Sequence, residues 1–301
     1  MADDIVDLLS DLAARRPPNP GQGDRVVAGL AGRGIQESRT PAMHEREAAR
    51  HGLQCTYLLI DFDRLGLVDE QIGAVIAAAR HCGFHGLNVT HPFKQVVSGH
   101  LDALAPEAEA IGAVNTVIFQ RDRTVGHNTD NWGFAESFRA GMQGAALGRV
   151  FQLGAGGAGA AVAHALLDLG AGELVIVDVD PEKAEALARR MSRRFDATVS
   201  AVRSAESALA DVNGIVNTTP IGMAKYPGVP FNVDRLDPLQ WVAEIIYFPP
   251  ETELLRQARA RGCRTLAGTG MAIYQAVRAF ELFTGRVADP KAMASHFESA
   301  A

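Results

Sequence analysis

The sequence predicts an α/β protein of two domains. Three observations predict it. The chain has 301 residues, beyond the ~150 of one ordinary domain. Strand-like apolar runs alternate with segments of helical periodicity along nearly all of it. The alternation also starts afresh after "NWGFAESFRAGM" (131–142), with "RVFQLGAGGAGAAVAHALLDLG" (149–170) reading as strand, glycine-rich turn and helix.

The elements justify themselves in order. "MADDIVDLLSDLAARRPPNPGQGD" (1–24) reads as a short amphipathic helix and a Pro/Gly-rich linker. It is acidic where a signal peptide would be basic. "RVVAGLAG" (25–32) is a strand, and "PAMHEREAARHG" (41–52) a helix with proline in its first turn and glycine at its end. "CTYLLIDF" is a strand, "VDEQIGAVIAAARHCG" a helix and "GLNVT" (86–90) a strand. "KQVVSGHLDAL" (94–104) and "APEAEAIGA" (105–113) read as helical, and "VNTVIFQRDRTVGHNTD" (114–130) as a hairpin. In the second series, "ELVIVDVD", "ATVSAV", "GIVNTT", "WVAEIIY" and "RTLAG" are strands. "PEKAEALARRMSRRF" and "ETELLRQARARG" are helices, and a short helix is expected between "ATVSAV" and "GIVNTT". "MAIYQAVRAFELFTG" (271–285) is a final amphipathic helix.

Composition excludes several classes. Apolar content is 47%, charged residues are 21% and the net charge is −6, which gives no reason to expect nucleic-acid binding. No stretch reaches the ~20 apolar residues that span a bilayer, so no membrane partner is expected. Three scattered cysteines, Cys55, Cys82 and Cys263, argue against a disulfide framework and for the cytoplasm. "HCGFH" (81–85) invites a metal reading, but Gly83 interrupts it and no cysteine pair or carboxylate completes a site, so no metal is expected. Gly83 reads instead as the end of a helix.

"LGAGGAG" carries the clearest chemistry. Gly154 permits a tight turn, Gly156 a close approach of backbone to pyrophosphate, and Gly159 close packing of helix on strand. With Ala155, Gly157 and Ala158 they form a loop opening onto a helix N-terminus, which offers free N–H groups to phosphates. Asp178 ends the next strand, where a carboxylate binds ribose hydroxyls and repels a 2′-phosphate. These features predict a Rossmann-type domain that binds NAD rather than NADP.

"GLNVTHPFKQ" (86–95) is the second motif. A strand ends in Thr90, turns through proline and presents Lys94. Loops at strand ends are where rigid scaffolds place chemistry. An amine accepts a proton from an alcohol undergoing oxidation only in its neutral form or through a relay. Asp130, at the junction of the two series, supplies a carboxylate to orient it. A domain junction is where a cleft is expected. Ser38 and Thr40 flank Arg39; Thr40, preceding Pro41, is expected to be extended, so the two hydroxyls share a face and grip a carboxylate.

"SRTPAMHE", "NVTHPFKQ", "GAVNT", "NTDNWGF", "GAGGAG", "NTTPIGM" and "GTGMAIYQA" occur in the order and spacing of the shikimate dehydrogenase family, which the chain resembles from Arg25 to its last predicted helix. The resemblance implies reversible oxidation of a ring hydroxyl of shikimate, with Lys94 and Asp130 as catalytic pair. It implies that Ser38 and Thr40 hold the substrate carboxylate, that Thr90, Asn115 and Gln275 contact ring hydroxyls, and that Tyr247 lines the same cleft. Thr219, Met223 and Gly268 match positions near the nicotinamide. Thr40 and "DVD" (178–180), where NADP enzymes have serine and Asn-Arg-Thr, resemble the NAD-dependent quinate/shikimate dehydrogenase branch. Ala267 and Gly270 depart from the family pattern. The expected domains are 25–129 plus 271–301 for substrate and 130–270 for NAD, after an extension over 1–24, as a monomer or homodimer. An NADP-dependent biosynthetic enzyme, an aminoshikimate or aminoquinate dehydrogenase, a reductase of another small carbonyl compound and a non-catalytic metabolite-binding regulator stay open as other readings.

Overall fold

The computed structural model describes residues 2–15, 23–204, 209 and 211–299. It divides into two compact units, Met1–Thr129 with Gln275–Ala301, and Asp130–Tyr274.

In the first unit, α1 (Ala2–Arg15) precedes β1 (Arg25–Gly32), α2 (Thr40–Arg50), β2 (Gln54–Asp61), α3 (Phe62–Leu65), α4 (Ile72–His81) and β3 (Gly86–Val89). Then come β4 (Ala103–Leu104), α5 (Pro106–Ile111) and the hairpin of β5 (Thr116–Phe119) and β6 (Thr124–His127). The sheet order is β2-β1-β3-β5-β6-β4. β1 pairs in parallel with β2 and β3; β5 is antiparallel to β3 and β6. Every residue of β1 after Arg25 is buried, which explains why its sequence is a continuous apolar run rather than an alternation.

The core gathers Leu58, Ile60, Ile72, Val75, Ile76, Leu87 and Phe93, and Ile5 and Leu9 of α1 belong to it. A second cluster packs Ala279 and Phe283 against Ala28, Leu30 and Tyr57. There a side chain at Gly86 would collide with the Phe283 ring and the Val117 carbonyl, so β3 needs glycine at its first residue.

One helix expected from the sequence is absent. Between Lys94 and Leu104 the chain makes turns, one 3-10 turn at Val97–His100 and the two residues of β4. The Lys94 carbonyl accepts from the Val114 N–H at 2.7 Å instead of from a helical neighbour. The Asp102 carboxylate accepts from the N–H and hydroxyl of Thr124 at 2.6 and 2.9 Å, which draws the segment to β6. Tertiary partners here outbid a weak local preference.

The second unit holds α6 (Thr129–Gly141) from Asp130 onward, then β7 (Arg149–Leu153), α7 (Gly157–Asp168), β8 (Glu173–Val177), α8 (Pro181–Ser192) and β9 (Thr198–Ala201). β10 (Gly214–Asn217), β11 (Trp241–Glu244), α9 (Glu253–Ala260), β12 (Arg264–Leu266) and the first turns of α10 (Thr269–Thr284) follow. The short helix expected between β9 and β10 falls largely outside the described residues. The six strands are all parallel in the order β12-β11-β10-β7-β8-β9. This is the doubly wound order of a dinucleotide-binding sheet, whose strand order reverses between β7 and β10. The helix expected to be the last is followed by one more, α11 (Pro290–Ser299), which belongs to the first unit. Among the described residues no helix is long and apolar enough to cross a membrane.

Candidate active site

In the first unit the C-terminal ends of β1 and β3 lie side by side. The Thr90 N–H donates to the Ala31 carbonyl at 3.0 Å, and the Arg33 N–H to the His91 carbonyl at 3.1 Å. Gly32 permits this approach, because a side chain there would collide with the Thr90 methyl. Two loops therefore leave from one edge of the sheet. One carries Ser38 and Thr40, the other Thr90 and Lys94.

Asp61, which the sequence did not single out, organises the first loop. Its carboxylate accepts from the N–H groups of Gly34, Ile35 and Asp63 at 3.2, 3.2 and 3.1 Å and from Gln36 Nε2 at 2.9 Å. Burial alone would raise this acid, but the bonds from Gln36, Asp63, Ile35 and Gly34 outweigh it and hold its pKa below the ordinary value. Further along, Ser38 Oγ donates to Thr40 Oγ1 at 3.1 Å and accepts from the Thr40 N–H at 3.3 Å. The hydroxyls do stand together, but not because Thr40 is extended. Thr40 is the first residue of α2, with Pro41 behind it in the first turn, where proline's missing N–H costs nothing. Arg39 turns to α11, its guanidinium 4.9 Å from the Phe297 ring centroid and bonded to the Phe297 carbonyl at 3.1 Å.

Phe93 anchors the second loop. It is fully buried, 4.4 Å from Phe62 between ring centroids, while Lys94 beside it is half-buried. The turn at Pro92 therefore drives one side chain into the core and leaves the next at the edge. Phe93→Ala should cost about 3–5 kcal/mol by removing a buried ring. It should lower the melting temperature and, through the slackened loop, the turnover of the folded fraction. Unchanged thermal unfolding of the variant would contradict this.

Asn115 sits beneath the loop, buried, in a polar network. Its Oδ1 accepts from the Thr129 N–H at 2.7 Å and the Thr116 hydroxyl at 3.0 Å, and its Nδ2 donates to Thr129 Oγ1 at 3.0 Å. Asn88 Nδ2 donates to Thr116 Oγ1 at 2.9 Å, and the Tyr57 hydroxyl to Asn88 Oδ1 at 2.6 Å. Most of Asn115's bonding capacity is thus spent on pinning Thr129, the residue before Asp130, leaving one Nδ2 hydrogen outside these bonds. Asp130 is buried in the first turn of α6. Gln275, on α10, is half-buried.

In the second unit the glycine loop lies between β7 and α7. Gly154 has φ +101°, and a side chain there would meet Thr218 Oγ1 at 2.5 Å; at Gly159 it would meet the Gly154 carbonyl at 2.5 Å. Gly156 differs. Its φ of −72° and ψ of −170° suit any residue, and a side chain added there would meet no atom of the chain within 4 Å. Neither backbone nor neighbours require glycine at 156, and the open space above it fits the close approach of a pyrophosphate. Ala155 is buried, and Gly157 and Ala158 open α7.

Asp178 Oδ2 accepts from the Ala155 N–H at 2.7 Å and Oδ1 from the Asp180 N–H at 2.9 Å. Each oxygen keeps a lone pair for a ribose hydroxyl. Lys183, the cation nearest in sequence, lies 3.7 Å from Asp180. On the adjoining strand end, Thr219 donates from N–H and hydroxyl to Asn217 Oδ1 at 3.0 and 2.7 Å. Met223 and Tyr247 are exposed. Gly268 and Gly270 have packing reasons of their own. A side chain at Gly268 would strike the Ile245 carbonyl, and one at Gly270 the Ser137 hydroxyl.

At "HCGFH", α4 ends at His81 and Gly83 turns the chain at φ +75°. His85 Nδ1 accepts from the Val27 N–H at 3.3 Å.

Comparison with known proteins shows the family. Residues 30–117 match the family model of the shikimate dehydrogenase substrate binding domain, and residues 268–295 that of the shikimate 5'-dehydrogenase C-terminal domain. A protein of Streptomyces avermitilis named shikimate dehydrogenase (NADP(+)) is 57% identical over 90% of this chain and 94% of its own. A quinate/shikimate dehydrogenase (NAD(+)) of Corynebacterium efficiens is 45% identical over 92% of this chain and 99% of its own. The solved structure of quinate dehydrogenase from Corynebacterium glutamicum in complex with NAD superposes with a TM-score of 0.86 at 42% identity, covering 92% of this chain and all (100%) of that one. The chain belongs to the shikimate dehydrogenase family, NAD(P)-dependent oxidoreductases that act on a CH–OH group.

Proposed function

We propose that the protein oxidises a ring hydroxyl of quinate, shikimate or both to the 3-dehydro product, reversibly, with NAD as cofactor and in the cytoplasm. The observation that carries this reading is the pair of loops at the ends of β1 and β3. They bring a hydroxyl pair, Ser38 and Thr40, to the same sheet edge as Thr90 and Lys94. Such a group suits a small polyhydroxylated acid.

The Ser38–Thr40 bond leaves the Thr40 hydroxyl hydrogen to donate, and Ser38 can turn its own, so the two bind the substrate carboxylate. Thr90, the remaining Asn115 amide hydrogen and Gln275 take ring hydroxyls, and Tyr247 borders the site. Lys94 and Asp130 are the catalytic pair: Lys94 receives the hydroxyl proton at Nζ, and Asp130 orients the hydroxyl and balances the ammonium that forms. The bound nicotinamide supplies the hydride acceptor. The loop 154–159 and Asp178 hold the dinucleotide, with Thr219, Met223 and Gly268 on the nicotinamide side.

The choice of NAD rests on Asp178, whose charge opposes a 2′-phosphate, with Asp180 adding a second charge and drawing on Lys183. The NADP reading is favoured by the 57% identity to a protein named for NADP. Steady-state rates on quinate and shikimate with each nucleotide decide between them. We expect kcat/KM for NAD at least about tenfold above that for NADP, about 1.4 kcal/mol in the transition state. Asp178→Ala should narrow the ratio by removing the repulsion. Equal efficiency in the wild type, or preference for NADP, refutes the NAD assignment.

A further inference from the structure

Glu244 ends β11, is 1% exposed and has no place in the chemistry above. Its carboxyl oxygens accept from Asn217 Nδ2 at 3.2 and 3.1 Å, and Oε1 accepts from the Thr252 hydroxyl at 3.1 Å. Asn217 and Thr252 are themselves buried, so three polar side chains meet where water is excluded. Asn217 is the last residue of β10 and Thr252 the N-cap of α9, where it accepts from the Leu255 N–H at 3.3 Å.

Asn217 then shapes the chain beyond β10. Its Nδ2 donates to the Ile221 carbonyl at 2.9 Å, and its Oδ1 takes both hydrogens offered by Thr219. Thr219 Oγ1 accepts from the Ile221 N–H at 3.2 Å. The Thr218 hydroxyl donates to the Leu153 and Gly154 carbonyls at 2.7 and 3.1 Å, fastening the same loop to the first turn of the glycine loop. β10 and β7 are the strands between which the sheet order reverses, where open α/β sheets receive ligands. An isolated packing carboxyl would need no such onward connection.

We infer that Glu244 is a positioning residue for the nucleotide: through Asn217 it fixes the loop from Thr218 to Met223 in its binding shape. The inference rests on the proposed nucleotide role of Thr219 and the glycine loop. A carboxylate accepts from an amide more strongly than a neutral group does. Gln in its place would set one NH2 against another.

Burial pushes the Glu244 carboxyl up to about 7, against the opposing bonds from Asn217, Thr252 and the Ile246 N–H. The charged groups around the start of α9, exposed Glu251 and half-buried Glu253, are paired with Arg259 and Arg256. Among the described residues, the side chains that bond Glu244 are the uncharged Asn217 and Thr252. Protonation therefore weakens the hold on Asn217, and NADH affinity should rise with pH through about 7.

The test titrates NADH by fluorescence into wild type, Glu244→Gln and Glu244→Asp. Glu244→Gln should raise the dissociation constant for NADH about tenfold, the scale of one lost charge-assisted hydrogen bond in a buried site. KM for the hydroxy acid at saturating NAD should stay within about twofold, because the first-unit residues that grip it are unchanged. Glu244→Asp, shorter but still anionic, should recover part of the affinity. Wild-type affinity should rise from about pH 6 to about pH 8, and Glu244→Gln should abolish that slope. Equal NADH affinity and slope in wild type and Glu244→Gln overturn the inference. If the glutamine variant does not fold, the wild-type profile decides, and a flat one overturns it. Wild type that binds neither NADH nor NADPH refutes the proposed nucleotide site itself, a result distinct from either.

Discussion

Lys94→Ala is expected to lower kcat by about 100- to 10,000-fold, the usual contribution of a general acid–base group. KM for the hydroxy acid should change far less, because proton transfer belongs to the transition state, and the proposed grip of Ser38, Thr40 and Asn115 on the ground state is untouched. The fold should survive. Lys94 is half-buried on a loop whose anchor is Phe93, and its own backbone bond, Val114 N–H to the Lys94 carbonyl, is independent of the side chain. Lys94→Arg should not restore turnover. A guanidinium keeps its proton at any working pH, and its planar fork does not fit a site for one ammonium. The check is steady-state kinetics beside a thermal melt. Near-normal kcat with a raised KM would make Lys94 a binding residue and send the search for the base elsewhere.

Asp130→Asn should be comparably damaging, also by about 100-fold or more in kcat, since an amide neither balances an ammonium nor accepts as a carboxylate does. Its backbone should stay in place. Thr129, one residue earlier, is held by Asn115 through bonds that the substitution does not touch. If Lys94 and Asp130 act on one proton, the double variant should lose much less than the product of the two single losses. Fully multiplicative losses would mean two independent roles. A variant that keeps wild-type kcat would remove Asp130 from the chemistry.

The parts of the fold and site written in local pattern were legible in the sequence. The glycine loop, the apolar runs of β7 and β8 and the acid at 178 follow one another at fixed spacing, because one strand–turn–helix–strand unit builds the whole proposed nucleotide half-site. The strand–turn–lysine motif at 86–94 was legible for the same reason. Most of what escaped depends on partners distant in sequence. Lys94 to Leu104 has helical composition, yet Val114 and Thr124 claim its polar groups. Thr40 precedes proline, yet starts a helix, because the first turn tolerates what a helix interior does not. Asp61 and Glu244 look like any acid at a strand end. Only the fold shows that one collects three donors from the Ser38 loop and one from α3, and that the other holds Asn217. Asn115 carried a resemblance to a substrate contact. Its larger visible task is to pin Thr129.

The central claim is that a carbinol hydrogen of quinate or shikimate passes directly to NAD while Lys94 takes the hydroxyl proton. The most direct measurement uses substrate carrying deuterium on the carbon to be oxidised and follows the label by mass spectrometry of the nucleotide. The account predicts reduced NAD carrying one deuterium, from wild type and at a much lower rate from Lys94→Ala. Absence of labelled reduced nucleotide with both deuterated acids, from folded wild-type protein supplied with NAD, would contradict it.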